Sequence, residues 1–277
     1  KLCNATIDGL MIGSTEVHFI PQAIKGGIHK LDIGTAGSIT LVLQSVLPIA
    51  CFADGPVIFE VTGGTDVKWS PPYDYFKHVT LPALRLFGLD MTTTLVRRGF
   101  FPRGDGKAIV TLEPSGIHGA DISLPSDVEI KGVSASSRLP QHVAERQANA
   151  AKEYLKNKGL SVGDIEIDVR EEPSTGSSIT LYRGFLGASS LGERGIPAEK
   201  VGRDAAKNLY EEICTSAAID EHLADQLIIF MGLAKGSSRV LASNISSHTS
   251  TNISVVEQML GKKFEIIKNN GSLILCE

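Results

Sequence analysis

The sequence has few cysteines, few aromatic residues and no long hydrophobic segment. Its four cysteines include no C-x-x-C pair, which argues against a zinc site and favours free thiols in a reducing compartment. The longest apolar runs, Val46–Ala53 and Leu227–Ala234, have eight residues each, whereas a membrane span needs about 20. No secretory leader is recognisable, so we expect a cytoplasmic protein without a membrane segment.

The chain also lacks an excess of positive charge. Its 27 Lys and Arg residues face 31 Asp and Glu residues, giving a formal net charge of −4. This excludes a uniformly basic coat of the histone kind, but it leaves room for a local basic groove. The 277 residues, 42% of them apolar, predict a folded protein of about two domains.

The middle of the chain predicts the element order βαβαββ, from short β-rich runs, apolar residues at helical spacing and Gly or Pro breaks. The expected strands are Gly27–Ile33, Val57–Val61, Met91–Val96 and Ala108–Leu112, and the expected helices are Ile39–Phe52 and Tyr73–Phe87.

The C-terminal part predicts the same order a second time. Its expected elements are strand Asp121–Ser134, helix Ala217–Ala234, strand Arg239–Ala242, helix Thr251–Leu260, and a hairpin of Lys263–Ile267 and Ser272–Cys276 that turns at Asn269-Asn270-Gly271. The intervening stretch has its own pattern, with helices Val143–Lys158 and Pro197–Ile213 and strands Asp164–Arg170 and Ser178–Leu186.

The predicted fold class is therefore α/β (α+β), with repeated βαβαββ units and a smaller inserted α/β domain. We expect a main domain of residues 1–138 and 216–277 and an inserted domain of residues 139–215. Asn4–Leu10 and Glu16–Ile20 read as a hairpin that closes a truncated first unit. The alternative is a chain of two units with an extra hairpin.

Two segments before predicted helices can contact an anion. Gly34–Ser38 joins a strand to a helix, where small residues expose backbone N–H groups, although a tight turn with a Ser or Thr cap is the favoured interpretation. Gln44 is the only amide in the apolar run Leu41–Ile49, and its partner is either backbone or a ligand. His248 precedes a helix whose positive end favours a neutral imidazole; the alternative is an ordinary loop histidine.

Other polar and aromatic groups have both a functional and an ordinary interpretation. His222, Asp225 and Gln226 share one helical face, as a site or as a solvated stripe. Trp69 beside Pro71 and Pro72 forms either a flat wall for a base or a packed corner. Arginines interleaved with aromatics bind nucleic acid in some proteins, but at hairpin ends they are more often solvated; here they are Arg97, Arg98 and Arg103 around Phe100 and Phe101.

Together, these segments resemble the RNA 3′-terminal phosphate cyclase family along the whole chain. The matching stretches are Gly34–Ser38 with Leu41–Gln44, Gly63–Asp66 with Ser70–Pro72, Arg98–Gly104, His142–Arg146, Leu223–Gln226, and His248 with Thr251–Ile253.

The resemblance implies an ATP-dependent enzyme of the ligase type, which converts an RNA 3′-phosphate into a 2′,3′-cyclic phosphate through a covalent histidine–AMP. By position, His248 is the expected nucleophile, and the expected ATP site consists of Gln44, Pro72, His222, Leu223, Ala224, Asp225 and Gln226. Pro72 and His222 would flank the adenine, although the family often has Tyr at the latter position. Mg²⁺ or Mn²⁺ is expected with ATP, and the partner is RNA with a 3′-terminal phosphate; no metal ligand and no oligomeric state is predicted.

Two other functions are compatible with parts of this pattern. One is a non-catalytic, cyclase-like protein of RNA binding or ribosome assembly, against which the presence of His248 and Gln226 argues. The other is an enolpyruvyl transferase, which shares the repeated-unit architecture but binds polyanions, so that more cleft lysines and arginines would be expected. The family's glycine-rich opening segment does not occur in this sequence, from which we expect an N-terminally shortened chain.

Overall fold

The computed structural model describes residues 2–269 and 271–277 and confirms an α+β fold. The strands are β1 (Thr6–Asp8), β2 (His18–Ile20), β3 (Gly27–Asp32), β4 (Val57–Gly63), β5 (Asp90–Arg97), β6 (Gly106–Glu113), β7 (Asp121–Ile122), β8 (Ile130–Ser137), β9 (Val162–Arg170), β10 (Gly176–Arg183), β11 (Leu186–Leu191), β12 (Ser238–Ala242), β13 (Phe264–Asn269) and β14 (Gly271–Cys276). The helices are α1 (Ile39–Ala50), α2 (Tyr73–Tyr75), α3 (Leu81–Leu86), α4 (His142–Asn157), α5 (Ala198–Cys214), α6 (Glu221–Leu233) and α7 (Ser247–Leu260), and a π-helical segment, Phe76–Thr80, joins α2 to α3. The predicted turn at Asn269-Asn270-Gly271 includes Asn270, which lies outside the described residues.

Residues 27–113 form a four-stranded sheet in the order β3-β4-β6-β5. β3 and β4 run parallel because α1 connects them, whereas β4, β6 and β5 pair antiparallel. Every second residue of β4 is buried, including Val57, Phe59 and Val61, so one face of the sheet carries the core.

The C-terminal part repeats this topology. Its sheet has the order β7-β12-β14-β13, so that in both sheets the first strand pairs with the second, the second with the fourth, and the fourth with the third. The parallel pair is again the first and second strand, β7 and β12. The hairpin predicted before the first unit is present as β1 and β2, and its origin in a truncated unit stays a prediction.

The predicted single strand Asp121–Ser134 is wrong, because it is divided between two sheets. β7 pairs with β12, whereas β8 pairs with β9 and β10. Pro125 interrupts the run, because proline has no backbone N–H to donate to a neighbouring strand of a sheet. The boundary between residues 138 and 139 stays a prediction.

The stretch between the two halves of the second unit forms a sheet of its own, in the order β11-β10-β8-β9. Helices α4 and α5 pack on it and share a separate group of buried residues with it. The predicted strand Ser178–Leu186 is two strands, β10 and β11, because the chain reverses at Gly184, whose φ of +59° suits glycine.

Two helices begin earlier or later than predicted because capping side chains fix where they start. α6 begins at Glu221 rather than Ala217, because Asp220 accepts hydrogen bonds from the N–H groups of His222 and Leu223. α7 begins at Ser247 rather than Thr251, because Ser246 accepts one from the N–H of Thr249. None of the described helices combines the length and the apolar character needed to cross a membrane.

Candidate active site

Four helical segments run in the same direction through the main core. Along α6, Asp220 pairs with Tyr75 and Gln226 pairs with Thr80, so this helix is parallel to the segment that begins with α2. Asp225 pairs with Asn252 and Gly232 lies against Val256 and Leu260, so α7 runs the same way as α6. At the start of α1, Thr40 donates to the Pro71 carbonyl just before α2, and further along α1 Leu47 lines the same small cavity as Leu84. All four N-termini therefore lie at one end, and the positive ends of α1 and α7, which neutral serine side chains cap, favour an anion there.

An open groove of about 650 Å³ lies between α1, α6 and α7. Most of its wall is apolar, with Leu41, Pro48 and Ile229 among the lining residues, while Gln44, Asp225 and Asn252 supply polar groups. This size and composition are typical of small-molecule sites. Pro48 has no N–H for the carbonyl of Gln44 one turn before it, so this carbonyl can accept a hydrogen bond from a bound molecule.

Asp225 is the central charged group of the groove. It is half-buried and accepts a 2.6 Å hydrogen bond from the Asn252 side chain. Burial raises its pKa, whereas His248, the Asn252 amide and His222 each act to lower it. His222 precedes Asp225 by three residues on α6, and His248 precedes Asn252 by four residues on α7, so each histidine lies on the same helix face as one member of this hydrogen-bonded pair.

His248 lies in the first turn of α7, not in the loop before it. Its side chain is exposed, and the cap formed by Ser246 leaves the histidine at the positive end of the helix. An exposed imidazole in this position can approach a phosphate that the helix N-termini bind.

The remaining predicted ATP-site residues lie at different depths. His222 is exposed in the first turn of α6, whereas Leu223 and Ala224 are fully buried in the core. Pro72 is buried and precedes α2 as its N-cap residue. Gln226 is only 6% exposed and accepts a hydrogen bond from Thr80 at 2.9 Å, so the predicted polar stripe is solvated only in part.

Asp220 supports this end of the groove and was not predicted. Its carboxylate is completely buried, accepts hydrogen bonds from the Tyr75 hydroxyl at 2.7 Å and the Gly187 N–H at 2.8 Å, and caps α6. Burial raises the pKa of both Asp220 and Tyr75. An Asp directly before a helix is a recognisable N-cap, but the predicted start at Ala217 concealed it.

The interpretation of Arg98 as a solvated hairpin residue is wrong. Its side chain is 1% exposed and pairs with three carboxylates. The distances are 3.2 Å to Asp66, 2.8 Å to Asp74 and 2.8 Å to Asp168. Burial alone would lower the pKa of Arg98, but the carboxylates raise it. We call these four residues the Arg98 cluster; it joins the first unit to β9.

The tight-turn interpretation of Gly34–Ser38 agrees with the structure, since Ser38 caps α1 by accepting from the N–H of Leu41. Within the described ranges, no group of three His, Cys, Asp or Glu residues is arranged to hold a metal ion.

Comparison with known proteins identifies the family. A sequence model described as RNA 3′-terminal phosphate cyclase matches residues 1–266. The chain belongs to the RNA 3′-terminal phosphate cyclase family. Among its relatives, proteins named RNA 3′-terminal phosphate cyclase from Archaeoglobus fulgidus, Methanococcoides burtonii and Pyrococcus furiosus are 43%, 47% and 44% identical to it. The matches cover 100%, 97% and 96% of this chain and 83%, 80% and 79% of those relatives.

For a member of this cyclase family, the structure brings together five of the predicted residues. Gln44, Asp225 and Gln226 line the groove or the small cavity behind it, His222 precedes Asp225 by three residues on α6, and His248 precedes Asn252, the partner of Asp225, by four residues on α7. Roles for Leu223 and Ala224 are limited to their backbone, because their side chains face the core. The flanking of a base by Pro72 and His222 stays a prediction.

Proposed function

We propose that this protein is an ATP-dependent RNA 3′-terminal phosphate cyclase whose nucleophile is His248. The observation that carries the proposal is the position of His248, exposed in the first turn of α7 and one turn before Asn252, which donates a hydrogen bond to Asp225 in the groove. Membership of the family supports the reaction class.

The groove fits a nucleoside triphosphate by size and polarity. Its apolar wall suits a base, and Gln44 offers both its amide and its free carbonyl to base or ribose donors. The triphosphate would then extend toward the N-termini of α1 and α7, whose positive dipole ends stabilise negative charge. His248 lies at that end, as attack on the α-phosphorus requires.

The chemistry proceeds in three displacements at phosphorus. An imidazole nitrogen of His248 attacks the α-phosphorus of ATP, and the bond to pyrophosphate breaks. An oxygen of the RNA 3′-phosphate next attacks the same phosphorus, and the bond to His248 breaks. The adjacent ribose 2′-hydroxyl then attacks the RNA phosphorus, loses its proton, and AMP leaves as the cyclic phosphate forms.

A divalent cation would fit beside the triphosphate as its counter-ion. Asp225 presents a half-buried carboxylate at the groove, and Glu221 lies one turn before it on α6. Mg²⁺ is commonly held by one or two carboxylates together with substrate phosphates. Bound there, Mg²⁺ or Mn²⁺ would neutralise phosphate charge.

Labelling with ATP tests the nucleophile. The protein is incubated with ATP labelled at the α-phosphate and Mg²⁺, without RNA, and the labelled residue is mapped. His248→Ala and His248→Asn are expected to fold normally, since the side chain is exposed, and to retain less than about 1% of the label because neither side chain offers a nucleophilic nitrogen.

The control is His142→Ala, which removes another exposed histidine from the first turn of a helix, α4. This variant is expected to label like the wild type. Undiminished labelling of His248→Ala, or a label on lysine, would contradict the proposal. The predicted cytoplasmic location remains part of the proposal and is compatible with four free cysteines.

A further inference from the structure

Trp69 is a large apolar side chain that the fold leaves in solvent. It is 95% exposed, at the tip of the loop between β4 and α2, and its φ of +61° is unusual for a bulky residue. Phe101, in the loop between β5 and β6, is 74% exposed, whereas its neighbour Phe100 is buried against Gly176. The core therefore uses one aromatic of this pair and leaves the other outside.

The two exposed rings belong to neighbouring loops. Asp66 and Phe100 form a backbone bridge, and the Thr65 N–H donates to the Gly99 carbonyl at 2.8 Å. Since consecutive Cα atoms are about 3.8 Å apart, the Cα atoms of Trp69 and Phe101 lie within about 20 Å of each other. We call the exposed surface of residues 68–70, 97, 101–103, 105 and 193–194 the aromatic–basic surface.

This surface has an excess of positive charge, whereas the whole chain has an excess of negative charge. It carries four cationic side chains and two acidic ones, none of them buried, although the whole protein has a net charge of −4. The cations are Lys68, Arg97, Arg103 and Arg194, and the acids are Asp105 and Glu193. The ion pairs Lys68–Glu193 and Arg103–Asp105 hold two of the cations in place at the surface.

The surface is continuous with the helix N-termini of the candidate active site. The loop of Trp69 leads directly into Pro72, the N-cap residue of α2. Thr40, in the first turn of α1, donates a 2.6 Å hydrogen bond to the carbonyl of Pro71 in the same loop. A strand whose last phosphate is bound at the helix N-termini would reach Trp69 by following this loop.

We propose that the aromatic–basic surface binds the single-stranded 3′ end of the RNA, with a base stacked on Trp69 and the phosphates near Arg103 and Lys68. Interleaved aromatics and cations are the usual means of binding single strands without sequence readout. This inference rests on the proposed function, because it is the 3′-phosphate that brings the strand to this end of the protein.

The test compares variants at Trp69 in two separate assays. Trp69→Asn removes the ring and tolerates a positive φ, so it is expected to fold, while Trp69→Tyr keeps a stacking ring. Leu124→Ala removes a side chain that is 83% exposed elsewhere and serves as the matched control. Each protein is assayed for labelling of His248 by ATP without RNA, and for binding of a fluorescent single-stranded RNA that ends in a 3′-phosphate.

Trp69→Asn is expected to raise the Kd for this RNA about 5- to 100-fold, with ATP labelling unchanged and with Trp69→Tyr and Leu124→Ala close to the wild type. An RNA with abasic 3′-terminal nucleotides should weaken binding by the wild type but weaken Trp69→Asn no further, which assigns the effect to stacking.

An unchanged Kd for Trp69→Asn would overturn the inference. If that variant instead changed the oligomeric state, the surface would be a protein interface and not an RNA site. Failure of the wild type to label His248 would contradict the proposed function alone, because RNA binding is measured independently of it.

Discussion

Charged side chains are concentrated in the Arg98 cluster and around Asp225, and the two regions differ in what those charges face. In the Arg98 cluster, one guanidinium and three carboxylates are paired with one another, and Ser178 donates a further 2.7 Å hydrogen bond to Asp66. Around Asp225, the Asn252 amide satisfies part of one carboxylate, while the side chains of His222 and His248 are exposed. The hydrogen-bonding capacity left over, rather than the number of charges, distinguishes a candidate site from a structural cluster.

Burial supports the same distinction. A buried ion pair gains little net stability over apolar side chains, but removing one partner leaves an uncompensated charge. Arg98 therefore links β9 to the first unit, and its removal should destabilise the protein because carboxylates would be left buried without a counter-charge. His248 has no such structural function, because substitution of an exposed side chain exposes no buried partner.

The largest expected effect on stability comes from Arg98→Leu. It leaves Asp66 and Asp74 buried without their cation, whereas Asp168 keeps its ion pair with Arg170, and it should lower the free energy of unfolding by about 3–5 kcal/mol. Arg103→Leu is the matched control, since its ion pair with Asp105 is exposed and should contribute less than about 1 kcal/mol. Chemical denaturation measures both; equal losses would show that burial does not separate these arginines.

Arg98 also illustrates what the sequence could not predict. The strands and helices of residues 27–113 follow from local periodicity and Gly or Pro breaks, and nearly all have the predicted bounds within a few residues. The partners of Arg98 include Asp168, 70 residues away, and no local pattern reveals such a pairing. A neighbouring arginine in the same motif, Arg103, is exposed, so residue type alone does not separate the two.

The candidate site was also predictable only as far as local sequence patterns and the family resemblance reach. The spacing of His222, Asp225 and Gln226 placed them on one face, and the resemblance supplied His248, but neither showed that Gln226 is turned into the core. Asp220 remained hidden because its partners, Tyr75 and Gly187, come from two distant segments. Side chains that join separate segments are identified only once the chain is folded.

Gln226 lies between the two kinds of region, since it lines the cavity behind the groove and is also hydrogen-bonded in the core. Gln226→Ala should lower the free energy of unfolding by about 1–3 kcal/mol, because the Thr80 hydroxyl loses its acceptor. If the amide also contacts the nucleotide, the Kd for ATP should rise about tenfold.

Thr80→Val separates the two contributions of Gln226. It breaks the same hydrogen bond with little change of shape and leaves the amide in place. Calorimetry should find a reduced stability in both variants but a weakened affinity for ATP in Gln226→Ala alone. Equal affinities in the two variants would assign Gln226 to the structure and remove it from the nucleotide site.

The smallest expected effect concerns the proton of Asp74 in the Arg98 cluster. Burial raises its pKa to about 6, with Arg98 acting against this and Asp66 and Asp168 adding to it. A carboxyl with a raised pKa contributes stability that is fully present below its unfolded value, 3.8, and is lost as the pH rises through about 6. Asp74 should therefore stabilise the protein by about 1 kcal/mol more at pH 5 than at pH 7.5.

The comparison of the wild type with Asp74→Asn isolates this contribution. Asparagine keeps an acceptor for Arg98 but does not titrate. The free energy of unfolding of the wild type should therefore rise relative to that of the variant as the pH falls from 7.5 to 5. Measuring this difference is necessary because His78 acts in the opposite direction: burial lowers its pKa to about 4, which costs stability as the pH falls from 6.5. A difference that stays constant with pH would mean that Asp74 remains ionised, and that the guanidinium of Arg98 outweighs burial throughout this cluster.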